Sequence, residues 1–236
     1  MDELLHSLRQ VPKGSAPGPS GISADLLRLM PVRALDLLRR FLNLILVWGV
    51  IPTKFLKANI YPAPKKGKLD LANCRPISLM EVPFKLLTRV VNLRLMNRLS
   101  SYLSPNQWGF RPGLCATDPY HVLLGAIEDS VEYSKPIHLS TVDLTKAFDS
   151  TENWSLRQSY KLANLSPATC RFLSASDGTG TASVLTPCGP SPPFKVERER
   201  GVRQGETLSP PEIPPLARAV APVTEQEIPH PWLPTA

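Results

Sequence analysis

The sequence predicts an α+β fold in which helices pack against a few short strands, and three observations lead there. Apolar residues recur at three- and four-residue spacing through several segments, as on the buried stripe of a helix. Short apolar or β-branched runs at 58–63, 137–144 and 194–197 stand between them and have strand length rather than helix length. Proline and glycine clusters punctuate the chain, whose 236 residues are enough to bury one large core or two lobes of one.

Residues 13–21, KGSAPGPSG, mix fixed and permissive backbones and suit a loop. Ser23 is placed to cap a helix over 24–30, because its hydroxyl can accept from a free N–H of the first turn. Pro31 permits a new first turn, and Leu35, Leu38, Leu42 and Ile45 continue at helical spacing until Gly49 and Pro52 stop the element. A strand over 58–63 leads into the basic turn PKKGK at 64–68. A helix is expected over 83–99, with Phe84, Leu87, Val91 and Leu95 on one stripe; its Lys and Arg residues read as a solvated face. Another helix is expected over 119–133, and 137–144 is the strongest strand in the chain, with β-branched residues after a Lys-Pro start. A helix over 154–162, a strand over 194–197 and a glycine turn at Gly201 follow. Residues 211–236 carry so many prolines that an irregular tail is expected, and there is no internal repeat.

The 27 Lys and Arg exceed the 20 Asp and Glu, giving +7, a balance that suits polyanionic partners and equally an ordinary basic surface. Cys74, Cys115, Cys170 and Cys188 lie far apart without metal-ligand spacing, which implies free thiols in a reducing compartment. The apolar run at 41–48 is interrupted by Asn43 and is much shorter than the roughly 20 residues of a membrane helix. The N-terminus lacks the apolar core of a secretory signal. A soluble protein of the cytoplasm or nucleus, without membrane contact, is therefore expected.

Five blocks carry the chemistry: APGPSGI (16–22), NCRPISLMEVPFKLLTRVVNLRL (73–95), QWGFRPG (107–113), VDLTKAFDS (142–150) and GVRQGETLSP (201–210). Asp143 ends a predicted strand, where an acid is usually a cap or turn former but is also well placed to hold a divalent cation. Phe148 and Asp149 follow it by five and six residues. In this order and spacing the blocks resemble the reverse transcriptase family, over roughly residues 13–210, and look most like its non-LTR, LINE-like members.

The resemblance implies an RNA-directed DNA polymerase of right-hand architecture, with a mostly helical fingers region inserted on an incomplete antiparallel palm sheet. Residues 1–136 would form the fingers with the template-side segment, 137–210 a partial palm, and 211–236 the tail. Nucleotide addition in such enzymes is an in-line displacement assisted by two magnesium ions about 4 Å apart. Asp143 would ligate them with help from the Leu144 carbonyl, while Asp149 either joins the catalytic set or holds the turn. Phe148 would lie under the sugar of the incoming deoxynucleoside triphosphate; its plainer reading is a core aromatic. Lys65, or its neighbour Lys66, and Arg75 would clasp the triphosphate, since cations and the guanidinium fork match phosphate oxygens. Gln204 and Gly205 would form the loop beside the nascent base pair, where a missing side chain permits close approach. Trp108, Phe110 and Arg111 would line the path of the RNA template, opposite the DNA primer, or pack the fingers core.

The family also uses an aromatic-x-Asp-Asp turn, and the chain contains no Asp-Asp; its acids beyond Pro210 are Glu212, Glu225 and Glu227 in the proline-rich tail. The resemblance thus implies a polymerase truncated before that turn and inactive alone, with the strand at 137–144 left uncovered on one side. A non-catalytic RNA-binding module and a degenerate mobile-element remnant are the competing readings.

Overall fold

A computed structural model describes residues 1–64, 74–99, 102–115, 117–143, 150–196, 200–202, 205, 207 and 208. The α+β class holds. Helix α1 (Asp2–Arg9) opens the chain, with Asp2 and Glu3 in its first turn, where acids complement the helix dipole, and with Leu4 and Leu8 buried. Glu3 receives the Arg94 guanidinium through Nε at 2.8 Å and Nη2 at 2.5 Å, and this hydrogen bonding from Arg94 holds its carboxyl below the usual range. Ser23 caps α2 (Ala24–Arg28) as expected, its Oγ accepting from Leu26 N at 3.1 Å.

Helix α3 (Val32–Trp48) starts after Pro31 and stops where Gly49 turns left-handed at φ 68°, donating to Ile45 O at 2.8 Å. Leu35, Leu42 and Ile45 are buried, and Leu38 packs against the core. A 3-10 turn (Thr53–Leu56) then feeds strand β1 (Lys57–Pro64).

Strand β2 (Cys74–Met80) pairs antiparallel with β1, and its proline lies on the outer edge of the sheet, where a missing donor is tolerated. Helix α4 (Val82–Leu99) follows at once, then α5 (Thr117–Glu132), α6 (Asn153–Leu162) and α7 (Pro167–Ser176). Ser166 caps α7 by accepting from Thr169 N, and Pro167 fills the first position. Strands β3 (Gly180–Thr186), β4 (Gly189–Pro190) and β5 (Phe194–Val196) complete the described elements.

The sheet corrects the expectation of a purely antiparallel one. Its order is β2-β1-β3, with β4 and β5 also on β3, and the β1–β3 pair is parallel, Lys57–Ile60 against Thr181–Val184. Strand β3 returns to β1 only after several helices, the long crossover that parallel pairing requires.

Helix α4 is the centre of the core. Phe84, Leu87, Val91 and Leu95 are buried as expected, but so are Val82, Leu86, Val90, Met96 and Leu99, so the helix is covered nearly all round. The single stripe read from sequence was too narrow, and the solvated basic face is corrected with it: Arg94 and Arg98 are exposed, whereas Lys85 and Arg89 are half-buried.

Two further expectations fare unequally. Helix α5 forms where expected, yet buries none of its residues. The strand expected over 137–144 is absent from its described part: residues 137–143 pair with nothing among the described residues, and Ile137, Leu139 and Val142 are exposed. β-propensity alone does not make a strand; it needs a neighbour to accept its hydrogen bonds. The four cysteines are free thiols, and among the described residues no helix is long and apolar enough to cross a membrane.

Candidate functional site

Strand β2 and the start of α4 gather pieces from distant parts of the chain. The 13–21 loop seats on their junction: Ser20 N donates to Glu81 Oε1 at 2.9 Å, and Ser20 Oγ donates to Glu81 Oε2. Glu81 is buried, so these donors supply the partners its carboxylate lost on leaving water. Gly18 makes the seat possible, because a Cβ there would stand 2.6 Å from Glu81 N and from the Met80 carbonyl.

The Gln-Gly block approaches the same strand from the other end of the sequence. Gly205 has φ 97°, and a Cβ on it would lie 3.2 Å from Ser78 O and 3.4 Å from Ile77 Cγ2. Both the left-handed backbone and the close approach favour glycine. Thr207 continues the contact, receiving Thr88 Oγ1 at 3.4 Å, and Leu208 and Val202 are buried anchors on either side.

The segment after the Asp143 block joins this loop as well. Gly201 N donates to Thr151 O at 2.6 Å, Glu152 and Arg200 form an antiparallel bridge, and Arg200 Nε lies 3.0 Å from Glu152 Oε1. Three blocks and the segment that follows a fourth therefore converge, although they span the chain from Gly18 to Leu208.

The individual candidates divide into four groups. Arg75 is exposed on β2, opposite Ala63 at the end of the ladder from which β1 runs toward Lys65. Gly205 packs on β2 as just described. Asp143 is exposed on the unpaired stretch, with no hydrogen bond or ion pair among the described residues. Lys65, Leu144, Phe148, Asp149 and Gln204 lie outside the described residues. The QWGFRPG block forms its own turn: Arg111 Nη1 donates to Ser104 O at 3.0 Å, Gln107 Nε2 donates to Gly109 O at 3.1 Å, and Trp108 is half-buried. Phe110 adopts φ 61°, an unusual backbone for an aromatic residue, and is 54% exposed.

Magnesium would need several oxygen ligands. Among the described residues no cluster of three Asp, Glu, His or Cys surrounds Asp143 or any other point, so they do not by themselves fit a metal centre.

Sequence reading missed one feature of the neighbourhood. Lys85, Arg89 and Asn92 sit at i, i+4 and i+7 on α4 and form a polar stripe beside Thr88, the residue that meets Thr207. Burial pushes the Lys85 ammonium down from its ordinary value, and the Arg89 charge adds to this; burial also lowers Arg89. Arg89 Nη1 and Asn92 Oδ1 are buried without a hydrogen-bond partner. The available signal was the spread of Leu86, Val90 and Met96 beyond the main apolar stripe of α4, which widens the face that must be covered.

Comparisons with known proteins identify a family for the sequence. The profile of a family described as reverse transcriptase (RNA-dependent DNA polymerase) matches residues 63–211, more than half of the chain. The Transposon TX1 uncharacterized 149 kDa protein of Xenopus laevis is 28% identical over 89% of this chain and 16% of its own length. A retrovirus-related Pol polyprotein from the type-1 retrotransposable element R2 of Popillia japonica is 28% identical over 84% of this chain and 27% of its own length. The RNA-directed DNA polymerase from mobile element jockey of Drosophila melanogaster is 26% identical over 71% of this chain and 18% of its own length. The chain thus spans little more than a quarter, at most, of these relatives.

Proposed function

Since the chain belongs to the reverse transcriptase (RNA-dependent DNA polymerase) family, we propose that it is the fingers and part of the palm of a retrotransposon RNA-directed DNA polymerase. The observation that carries this reading is the seating of Gly205 on Ile77 and Ser78 of β2, the strand that bears Arg75. A nucleotide-side loop and a phosphate-binding arginine must share one surface to hold one triphosphate, and the packing of Gly205 against the strand that carries Arg75 supports that reading. Arg75, with Lys65 or Lys66, would neutralise phosphate oxygens, and Gly205 and Gln204 would flank the nascent base pair. Phe148 would stand beneath the deoxyribose. Trp108 and Phe110 would offer stacking surfaces to template bases, and Arg111, already used to clasp its own turn, would stiffen that platform.

Magnesium, when bound, would activate the primer hydroxyl and steady the departing pyrophosphate. Asp143 is the residue of this chain that would contribute to its binding, with Leu144 and Asp149 beside it in sequence. The sequence has no Asp-Asp pair to add to Asp143, and too few carboxylates would oppose the mutual repulsion of two cations, so the polypeptide is proposed to be catalytically silent by itself.

Primer extension with magnesium on an RNA template, together with RNA binding by fluorescence anisotropy, tests both statements. The expected result is no extension and RNA binding that weakens steeply with salt. Robust extension would overturn the silence of the isolated chain. Failure to bind either RNA or deoxynucleoside triphosphate at low salt would overturn the polymerase reading.

Phe110 gives a sharper test of the template surface. Phe110→Gly relieves a left-handed aromatic residue, offset by the greater freedom of glycine when unfolded, so the melting temperature is not expected to fall. RNA affinity is expected to drop by about 1–3 kcal/mol, the worth of one stacked base. An unchanged affinity would return the block to a packing role.

A further inference from the structure

Lys85 and Arg89 present an electrostatic problem that the described residues do not solve. Both cations are half-buried on a helix that also supplies much of the core, and neither has an acidic partner among the described residues. Arg89 Nη1 is withdrawn from solvent and donates to nothing among the described residues. Holding an unpaired charge out of water is costly, and buried charges ordinarily come with a counterion. The nearest acid in sequence, Glu81, is occupied by Ser20. Asn92 could satisfy one guanidinium N–H after a side-chain rotation, but a neutral amide cannot balance two positive charges.

The stripe also has a direction. Lys85, Arg89 and Asn92 project from one side of α4 and flank Thr88, whose hydroxyl meets Thr207 of the Gln-Gly block. An anion on this stripe would therefore lie beside the loop that caps β2. A phosphate group suits the donors: an ammonium as a compact charge, a guanidinium fork for two oxygens, and an amide that can rotate to donate.

We propose that Lys85, Arg89 and Asn92 form a phosphate-binding site on α4, bordered by Thr88 and Thr207, that takes a phosphate group from a nucleotide or from a nucleic-acid backbone. The polymerase reading bears only on the source of the phosphate; affinity for phosphate itself stands apart from it.

The test uses the full chain and measures melting temperature against added sodium pyrophosphate at constant ionic strength, then against dTTP and against a short single-stranded RNA. Lys85→Met with Arg89→Met removes both charges while keeping their apolar stems. Arg9→Met with Arg33→Met removes two exposed charges and controls for net charge. Pyrophosphate is expected to stabilise the wild type and the control pair, and its apparent affinity is expected to fall about tenfold to hundredfold in the Lys85/Arg89 pair. Without phosphate, that pair is expected to melt no lower than the wild type, because an uncompensated buried charge has been removed. Lys85→Arg, which keeps the charge, is expected to keep the response and covers the case in which the double variant folds poorly. A wild type indifferent to pyrophosphate, or an equal response in the Lys85/Arg89 pair, would overturn the site. Loss of the dTTP response alone would support a nucleotide source, and loss of RNA affinity alone a backbone source. Pyrophosphate binding that survives while dTTP and RNA both fail would uphold the site and remove the polymerase reading.

Discussion

Gly18→Val is expected to destabilise the protein by at least about 3 kcal/mol, the upper end of what overpacking alone costs. The reason is the identity of the atoms in the way. A Cβ on Gly18 would stand 2.6 Å from Glu81 N and from Met80 C and O, and these belong to the backbone at the junction of β2 and α4. A side chain could swing aside; a strand end locked to β1 cannot. The loop would have to lift, and Ser20 would leave the buried Glu81 carboxylate without its two donors. Those hydrogen bonds to a charged group are worth about 1.5–3 kcal/mol each, so steric and polar costs arrive together. Gly125→Ala is the control, because nothing lies within 4 Å of a Cβ there and the residue is inside α5. It is expected to stabilise by about 0.5–1 kcal/mol through helix propensity. Urea denaturation measures both, with the slope unchanged if only stability moves. A loss under about 1 kcal/mol for Gly18→Val would mean that the 13–21 loop is not seated on β2 in solution.

What was legible in the sequence followed the range of the interaction. Helix α3 could be bounded from local chemistry, since Pro31 and Gly49 act on their own turns. The cap at Ser23 was equally readable, and Ser166-Pro167 carried a similar signal for α7 that was overlooked. The parallel pairing of β1 with β3 was not readable, because no local feature of Lys57–Ile60 points to residues far along the chain. The 137–143 stretch failed for the same reason in reverse: its β-branched residues suit a strand, but pairing depends on a neighbour that the described residues do not supply. At the site, motif spacing fixed the order of the blocks without showing that β2 is where they meet. Gly205 on Ser78 is a tertiary contact between an apparent turn glycine and an edge strand. Lys85 and Arg89 were hidden by a rule that usually works, that helix cations face solvent. Leu86, Val90 and Met96 beside the main stripe were the contrary signal, since a helix apolar all round is buried. The roles of Lys65, Leu144, Phe148, Asp149 and Gln204 rest on sequence alone, as these residues lie outside those described.

Phe84→Ala is expected to cost about 3–5 kcal/mol, a large share of the roughly 5–15 kcal/mol that holds a typical domain together. Phe84 is wholly buried in the first turn of α4, and its ring centroid lies 5.8 Å from that of Phe55 in the 3-10 turn. Phe55 in turn makes a T-shaped contact with Phe41 on α3, with ring centroids 5.9 Å apart, so three rings link α3, the turn before β1 and α4. Removing the inner ring leaves a cavity bounded by α4 and by the turn that leads into β1, neither of which can collapse freely while β1 is held by β2 and β3. Phe41→Ala, at the exposed end of the series with 43% of its surface in solvent, is expected to cost clearly less. Coupling between Phe55 and Phe84 in a double-mutant cycle is expected at about 0.5–1.5 kcal/mol, the range for an aromatic pair. The same substitution reaches the proposed phosphate site, because Phe84 anchors the turn that carries Lys85. If the inner ring positions that turn, Phe84→Leu, which keeps most of the apolar volume, should retain the pyrophosphate response at temperatures where Phe84→Ala has lost it. Equal responses in the two variants, both folded, would show that the stripe of α4 is held by its remaining buried residues and owes nothing to the ring.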